Sequence, residues 1–138
     1  MLFYCHPKII YFDEKCIKVK IKLRRKVKNH LGSMYLGALA VGADITSGYF
    51  ALHFAKKNHK KISLVFKDFQ ADFIKRPMAD VVFQCDMGEE IQKLIKMAVD
   101  TNERQNLPIK VCATSPQISS DICANFTLTL SVKMRSKF

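Results

Sequence analysis

The chain has 138 residues, which suits one domain with a single hydrophobic core, and its 49% hydrophobic content excludes an intrinsically disordered protein. The formal net charge of +11 favours anionic partners, namely nucleic acid, phosphorylated cofactors or acidic membrane surfaces, although a solvated basic surface has the same composition. The five cysteines form no C-x-x-C pair and the four histidines lack ligand spacing, so we expect reduced thiols and no metal site. The N-terminus lacks the basic n-region of a signal peptide, and we expect a cytoplasmic protein.

Residues 16–24 read CIKVKIKLR and alternate strictly between apolar and basic side chains. A period of two over this length predicts a strand with one buried face. The opposite face is wholly basic, and this basic character continues into the following loop.

Residues 34–57 form an apolar run rich in Gly and Ala, with Asp44 as the only charged residue before its last two lysines. Asn29 and Ser33 are both good N-cap residues ahead of this run, so the sequence predicts a long buried helix. The run is long enough to be a membrane span. However, Asp44 is central and basic residues flank both ends, so we expect no membrane span.

The remaining segments alternate between strand and helix signals. Residues 60–77 and 79–87 are rich in Ile, Val and Phe and predict strands. Residues 88–103 carry apolar side chains at helical spacing behind acidic residues, which predicts an amphipathic helix. Residues 107–117 and 122–135 predict two further strands. The predicted fold is α+β: one domain, residues 1–138, in which a mostly antiparallel sheet wraps around one long central helix.

The loop and helix start NHLGSMYLGAL, residues 29–39, resemble a signature of the form N-H-x-G-[ST]-M-x-x-G-A-L. This signature is found in a little-characterised branch of the hotdog-fold thioesterase superfamily, similar to acyl-CoA thioesterases of the phenylacetate type. FIKRPMADVVFQC, residues 73–85, also resembles that branch. The resemblance covers nearly the whole chain from about Cys16 onward and implies the hotdog fold.

The better-known acyl-CoA thioesterases of this superfamily carry N-x-x-G-x-x-H-G-G, followed by a catalytic acid nine residues after the His. Asn29 and Gly32 match the Asn and the first Gly, and Asp44 falls on the catalytic acid. The His-Gly-Gly is replaced by Tyr35, Leu36 and Gly37. Ser47 is the nearest substitute for the helical hydroxyl that often supports the acid.

The resemblance implies hydrolysis of an acyl-CoA or a related thioester. Asp44 would act as general base or nucleophile, the amides near Leu36 and Gly37 would form the oxyanion hole, and Asn29 would orient the water or the substrate carbonyl. Asp44 lies about nine residues into the predicted helix, ~13 Å along it from the amides of the helix N-terminus at ~1.5 Å per residue, so one subunit cannot supply both. The resemblance therefore implies a homodimer or a homotetramer in which the acid of one chain faces the helix start of another. The alternatives are that Asp44 only fixes a dimer contact, that Asn29 only caps the helix and that Tyr35 only packs in the core.

The basic residues Lys75, Arg76, Lys57 and Lys61 are candidates to bind the phosphates of coenzyme A, as part of the substrate, or of acyl carrier protein. No further cofactor is expected, and the alternative for these residues is a solvated surface. Two other functions stay open. A non-catalytic hotdog protein would bind acyl ligands without hydrolysing them. A nucleic-acid-binding domain is weakened because the chain has no helix-turn-helix, RNP-like or zinc motif.

Overall fold

The computed structural model describes residues 5–57 and 61–135. In chain order the elements are β1 (Lys8–Phe12), β2 (Ile17–Ile21), a short 3-10 turn (Arg25–Val27), α1 (Leu36–Lys57), β3 (Ile62–Phe73), β4 (Val81–Cys85), α2 (Gly88–Thr101), β5 (Gln105–Thr114) and β6 (Ile122–Met134). The long α1 lies against the sheet, as the sequence predicted.

The strands form one antiparallel sheet in the order β1-β2-β4-β5-β6-β3. β3 pairs with β6 along its whole length, with an irregularity between Phe66 and Asp68. β1 and β3 are the two edge strands, and β3 is the longer of them. An edge strand leaves a row of backbone donors and acceptors unpaired, so β3 is the main surface on which another strand could pair.

The core lies between the sheet and α1. The apolar residues of the alternating β2 segment, Ile17, Val19 and Ile21, are fully buried, as the period of two predicted. Gly42 of α1 lies against the buried ring of Phe83, and a Cβ atom added at Gly42 would come within 2.2 Å of that ring. The absence of a side chain at Gly42 therefore lets the Phe83 ring pack directly on the helix backbone.

One strand was not predicted, and several predicted boundaries were wrong because local patterns do not show tertiary contacts. β1 was not predicted, because its residues KIIYF are exposed on both faces and lack alternation. β2 ends at Ile21, before the basic residues that were predicted to complete it. α1 begins at Leu36, and β3 ends at Phe73 before Pro77. Residue 60, predicted to begin β3, lies outside the described residues. Among those residues, neither helix combines the length and hydropathy that a membrane span requires.

Candidate functional site

The loop that precedes α1 is held together by Asn29. Its Oδ1 accepts hydrogen bonds from the backbone N–H groups of Leu31 (2.9 Å) and Ser33 (3.1 Å), and its Nδ2 donates to Ser33 Oγ (2.8 Å). The backbone N–H of Asn29 also donates to the Ser33 carbonyl at 2.7 Å, and Gly32 takes a φ of 81°, which glycine adopts without strain. Asn29 therefore shapes this loop and does not stand at the N-cap of α1.

These bonds define what Asn29 can still do. A backbone N–H can only donate, so the atom that accepts from Leu31 and Ser33 must be the amide oxygen. Both acceptor positions of that oxygen are used, whereas Nδ2 carries a second hydrogen. Because Asn29 lines the cavity described below, it can donate to a bound ligand's carbonyl but has no capacity left to accept from a water.

The first turn of α1 presents backbone N–H groups. The Tyr35 carbonyl accepts from Ala38 and Leu39, so Tyr35 stands at the N-cap, and Tyr35 itself donates its backbone N–H to Val27. Within residues 5–57 and 61–135, the N–H groups of Leu36 and Gly37 have no hydrogen-bond partner. They lie at the positive end of a helix of 22 residues, the position where a developing negative charge is stabilised.

A cavity of about 390 Å³ opens beside this helix start. Its walls are mainly apolar, and Asn29 and the Lys75–Arg76 pair supply polar groups. The lining residues are Asn29, Ser33, Met34, Leu36, Leu39, Phe73, Ile74, Lys75, Arg76 and Pro77. The structure thus brings together four of the residues predicted from the sequence, Asn29, Leu36, Lys75 and Arg76, in a concave, largely apolar site of the kind that binds small ligands.

The two cations of this cavity differ. Lys75 Nζ lies 2.6 Å from the Asp121 carboxylate, and this pair raises the pKa of Lys75 and lowers that of Asp121. Arg76 is exposed and has no ion pair among the described residues. Arg76 is therefore the cation that is free to meet an anionic ligand, a difference that the adjacent sequence positions do not reveal.

Tyr35, which occupies the position of the family His, is half-buried against the core and is hydrogen-bonded to the Cys5 thiol. Desolvation raises the pKa of the Tyr35 hydroxyl, and it raises the pKa of Cys5 as well. A phenol with a raised pKa is neutral at physiological pH and is a poor base. The core-packing role for Tyr35 fits these contacts.

Asp44 lies on the exposed side of α1, in a separate depression of about 450 Å³ between the helix and β3. The depression is lined by Ala40, Val41, Phe66, Phe69 and Leu128, together with the charged residues Lys67 and Asp68. Desolvation by burial raises the pKa of the Asp44 carboxyl group. At ~1.5 Å per residue, Asp44 is ~12 Å along the helix from Leu36. The structure does not place the acid and the helix-start amides around one ligand within a single chain.

Ser47 is fully buried. Its Oγ donates to the carbonyl of Ala43 at 2.9 Å and lies 3.3 Å from the carbonyl of Asp44. These bonds stay within the helix backbone and do not reach the Asp44 carboxylate. Ser47 is therefore a helix-packing residue in the single chain.

Lys57 and Lys61 lie at the opposite end of the molecule from the cavity. Lys57 is the last residue of α1 and forms an ion pair with Glu14 at 2.7 Å, and Lys61 directly precedes β3. Within one chain these lysines do not join Lys75 and Arg76. No group of three or more potential metal ligands occurs within the described ranges.

The apolar walls of the cavity, Met34, Leu39, Phe73 and Ile74, were not predicted as site residues. Met34 reaches the cavity because its backbone N–H donates to the Pro77 carbonyl at 3.0 Å, which joins the loop before α1 to the segment after β3. Two segments that are distant in the sequence thus form one wall. The only sequence signal was the similarity of both segments to the same family.

Solved structures with the same fold identify the class of protein as hotdog. A Pseudomonas aeruginosa protein described as of unknown function and "Probable Thioesterase" aligns with a TM-score of 0.82 at 17% identity, over 97% of this chain and 87% of that one. A Chlorobaculum tepidum protein of unknown function aligns with a TM-score of 0.84 at 9% identity, over 97% and 86%. A mutant of a thioesterase enzyme from Staphylococcus aureus aligns with a TM-score of 0.71 at 11% identity, over 96% and 97%.

Within this class, the chain belongs to the family described as domain of unknown function DUF4442, whose sequence profile matches residues 5–132. No functionally curated protein matches the sequence. The identities to the solved structures are low, so the likeness establishes the fold, and the chemistry must be argued from the residues of this chain.

Proposed function

We propose that this protein is a homodimeric thioesterase that hydrolyses an acyl-CoA or a related acyl thioester. One observation carries the proposal: Asn29, Leu36 and Arg76 line a single cavity beside the start of α1. Among the described residues, the N–H groups of Leu36 and its neighbour Gly37 have no hydrogen-bond partner, Asn29 Nδ2 keeps one hydrogen, and Arg76 has no ion pair. The amides suit an oxyanion, the amide hydrogen suits a carbonyl, and the guanidinium suits a phosphate.

The dimer would form through the free edge of β3. Val65, Phe69 and Phe73 of this strand are exposed large apolar residues, which is unusual for a long edge strand that has no partner. Asp44 lies beside Phe66 and Phe69, whereas Leu36 lies beside Phe73 in the cavity at the strand's end. Antiparallel pairing of two β3 strands about a two-fold axis near Gln70 would bring Asp44 of one chain to the helix start of the other.

The same pairing accounts for Lys61. It precedes the first residue of β3, so in the antiparallel arrangement it extends past Phe73 of the partner subunit, toward that subunit's Arg76. Two cations from different chains would then flank one cavity mouth, where the diphosphate and the 3′-phosphate of coenzyme A need charge compensation.

The reaction needs no group outside the dimer except water. The thioester carbonyl would accept hydrogen bonds from Asn29 Nδ2 and from the amides of Leu36 and Gly37. As general base, Asp44 of the other chain would take a proton from water as the water oxygen attacks the carbonyl carbon. Collapse of the tetrahedral intermediate would break the C–S bond, and the proton would pass to the thiolate, giving a carboxylic acid and a free thiol. If Asp44 were the nucleophile, the acyl group would pass through an anhydride that water then cleaves.

The proposal is tested by a panel of acyl-CoA substrates with detection of the free thiol. We expect turnover by the wild type and a loss of about 10²-fold or more in kcat for Asp44→Asn, as for a missing general base. Asp100→Asn is the matched control, because it removes an exposed carboxylate on the other helix, α2, and it should retain full activity. Equal rates for all three proteins across the panel would refute a catalytic role for Asp44.

A second candidate function, binding of acyl ligands without hydrolysis, is favoured by one observation. The oxygen of Asn29 is saturated by the loop, and Tyr35 replaces the family His with a neutral phenol, so this chain offers fewer groups that could hold an attacking water. A tight acyl-CoA complex, detected by calorimetry without release of thiol from any substrate, would support this alternative over the enzyme.

A further inference from the structure

Four large apolar side chains at one end of the molecule are exposed in loops. Leu31, Ile74, Met78 and Ile118 are 49–61% exposed, and they belong to the loops before α1, after β3 and between β5 and β6. Every other exposed large apolar residue of the described ranges lies on a helix or a strand. We call these four residues the loop-tip cluster.

Hydrogen bonds hold the three loops of the cluster beside one another. The Met34 N–H donates to the Pro77 carbonyl (3.0 Å), which joins the loop before α1 to the loop after β3. The Asp80 N–H donates to Gln117 Oε1 (3.3 Å), and the Ile74 N–H donates to the Cys123 carbonyl (2.8 Å), which joins the loop after β3 to the β5–β6 region. The three loops that carry the loop-tip cluster therefore lie side by side at one end of the molecule.

The charge at this end is strongly positive. Lys22, Arg25, Lys28 and Arg76 of the same loops have no ion pair within the described part of the chain. The only acidic residues of these loops are Asp80 and Asp121, and each is already paired with a lysine, Lys20 and Lys75 respectively. An anion that approaches this end meets uncompensated cations between the apolar tips.

We propose that the loop-tip cluster docks on the surface of a bilayer that contains anionic phospholipid. Apolar tips that enter the acyl boundary, surrounded by lysine and arginine at headgroup level, are the two features that peripheral membrane binding requires. A purely electrostatic partner such as nucleic acid would account for the basic residues but not for four exposed aliphatic side chains. The cavity beside the start of α1 opens at this same end, where Ile74 and Arg76 are also part of its lining.

The test is co-sedimentation of the purified protein with phosphatidylcholine vesicles, with and without phosphatidylglycerol, at low and high salt. We expect binding only to the anionic vesicles, weakening as salt rises. The double substitution Met78→Ser and Ile118→Ser should lower the partition coefficient about tenfold or more, because each tip loses its buried apolar area. Met97→Ser is the matched control, since Met97 on α2 is 52% exposed and Met78 is 50% exposed.

A second pair of variants separates charge from insertion. Arg25→Glu with Lys28→Glu should abolish vesicle binding, whereas Lys93→Glu with Lys96→Glu on α2 changes the net charge equally and should leave binding nearly intact. All these residues are exposed, so we expect the variants to fold normally. An unchanged melting temperature would confirm that each variant is folded. Absence of binding to anionic vesicles would overturn the proposal, and so would equal losses for Met97→Ser and the loop-tip variant. Binding that depends on the charges alone, or that is found only with an acidic carrier protein, would overturn it as well. Because binding is measured without any substrate, failure here would leave the proposed reaction untouched.

Discussion

Asn29 and Ser33 are joined by three hydrogen bonds: the Ser33 N–H donates to Asn29 Oδ1, Asn29 Nδ2 donates to Ser33 Oγ, and the Asn29 N–H donates to the Ser33 carbonyl. The two atoms of the Asn29 side-chain amide therefore have different roles. The amide oxygen serves the loop, and only the amide nitrogen has a hydrogen to spare. Asn29 also lines the cavity beside α1, so this hydrogen is the group it has left for a bound ligand.

The first prediction uses that separation. Asn29→Asp keeps an oxygen for Leu31 and Ser33 but removes the donor to the substrate carbonyl and adds a negative charge beside the oxyanion. We expect a loss of about 10²-fold or more in kcat, comparable to the removal of one oxyanion-hole donor, with little change in unfolding free energy. Asn29→Ala should instead lose all three side-chain bonds of the loop and about 1–2 kcal/mol of stability. If Asn29→Asp retains full turnover in the thiol-release assay, Asn29 is only a loop residue.

The second prediction concerns sites shared between subunits. Asp44→Asn and Asn29→Asp should each inactivate a homodimer. In a mixed dimer of the two variants, one site carries both changes and the other carries neither. We therefore expect mixing under conditions of subunit exchange to restore about half of the wild-type activity in the heterodimer fraction. Tagged subunits allow that fraction to be isolated and assayed directly. No recovery in an isolated heterodimer would show that Asp44 and Asn29 serve a site within the same chain, which would contradict the shared site.

The sequence predicted the secondary structure where the local pattern of apolar and polar residues matches the pattern of burial. The alternation of residues 16–24 predicted β2 because one face of that strand is buried and the other is not. The same logic missed β1, since an edge strand with both faces exposed leaves no period. It also placed the start of α1 too early. Met34 and Tyr35 have helix-compatible neighbours, but their backbone N–H groups donate to the carbonyls of Pro77 and Val27, which both lie outside the helix.

The candidate site was readable only in part, for the same reason. Family resemblance suggested Asn29, Leu36 and Arg76, and the structure places them around one cavity. The resemblance could not show that Lys75 forms an ion pair with Asp121, which lies 46 residues later. Nor could it show that Arg76 has no such partner among the described residues. It also placed Ser47 beside Asp44 by helical spacing, whereas the Ser47 hydroxyl turns back to its own helix.

The third prediction follows from the desolvation of Asp44. Because the pKa of Asp44 in the folded chain is raised above 3.8, its carboxyl group binds a proton more tightly in the folded protein than in the unfolded chain. The stabilisation from the protonated form is fully present below the unfolded pKa and is lost as pH rises through the folded pKa. Asp44→Asn should thus be more stable than the wild type at neutral pH, and the difference should shrink as pH falls toward 4. Urea unfolding across this range measures it, and a difference that grows as pH falls would contradict the assignment.

The fourth prediction concerns the β3 edge. Phe69 is exposed in the single chain, next to Asp44, and would be covered by the partner in the proposed dimer. Phe69→Glu should give a folded monomer, because a charge at this contact would have to be buried without a partner. Sedimentation velocity gives the oligomeric state, and the thiol-release assay should show that activity is lost together with the dimer. Met97→Glu, a charge at an exposed apolar position on α2, should remain dimeric and active.

The last prediction compares two glycines of α1 that the sequence does not distinguish. A Cβ atom at Gly42 would come within 2.2 Å of the fully buried Phe83 ring, whereas one at Gly48 would lie 3.6 Å from Phe66, an ordinary contact. Gly42→Ala should therefore cost about 1–3 kcal/mol through overpacking, despite the better helix propensity of alanine. Gly48→Ala should be neutral or stabilise the protein by up to about 1 kcal/mol, since it gains that propensity without a clash. Thermal and urea unfolding of both variants measure the difference. Equal effects at the two positions would mean that α1 does not pack on Phe83 through Gly42.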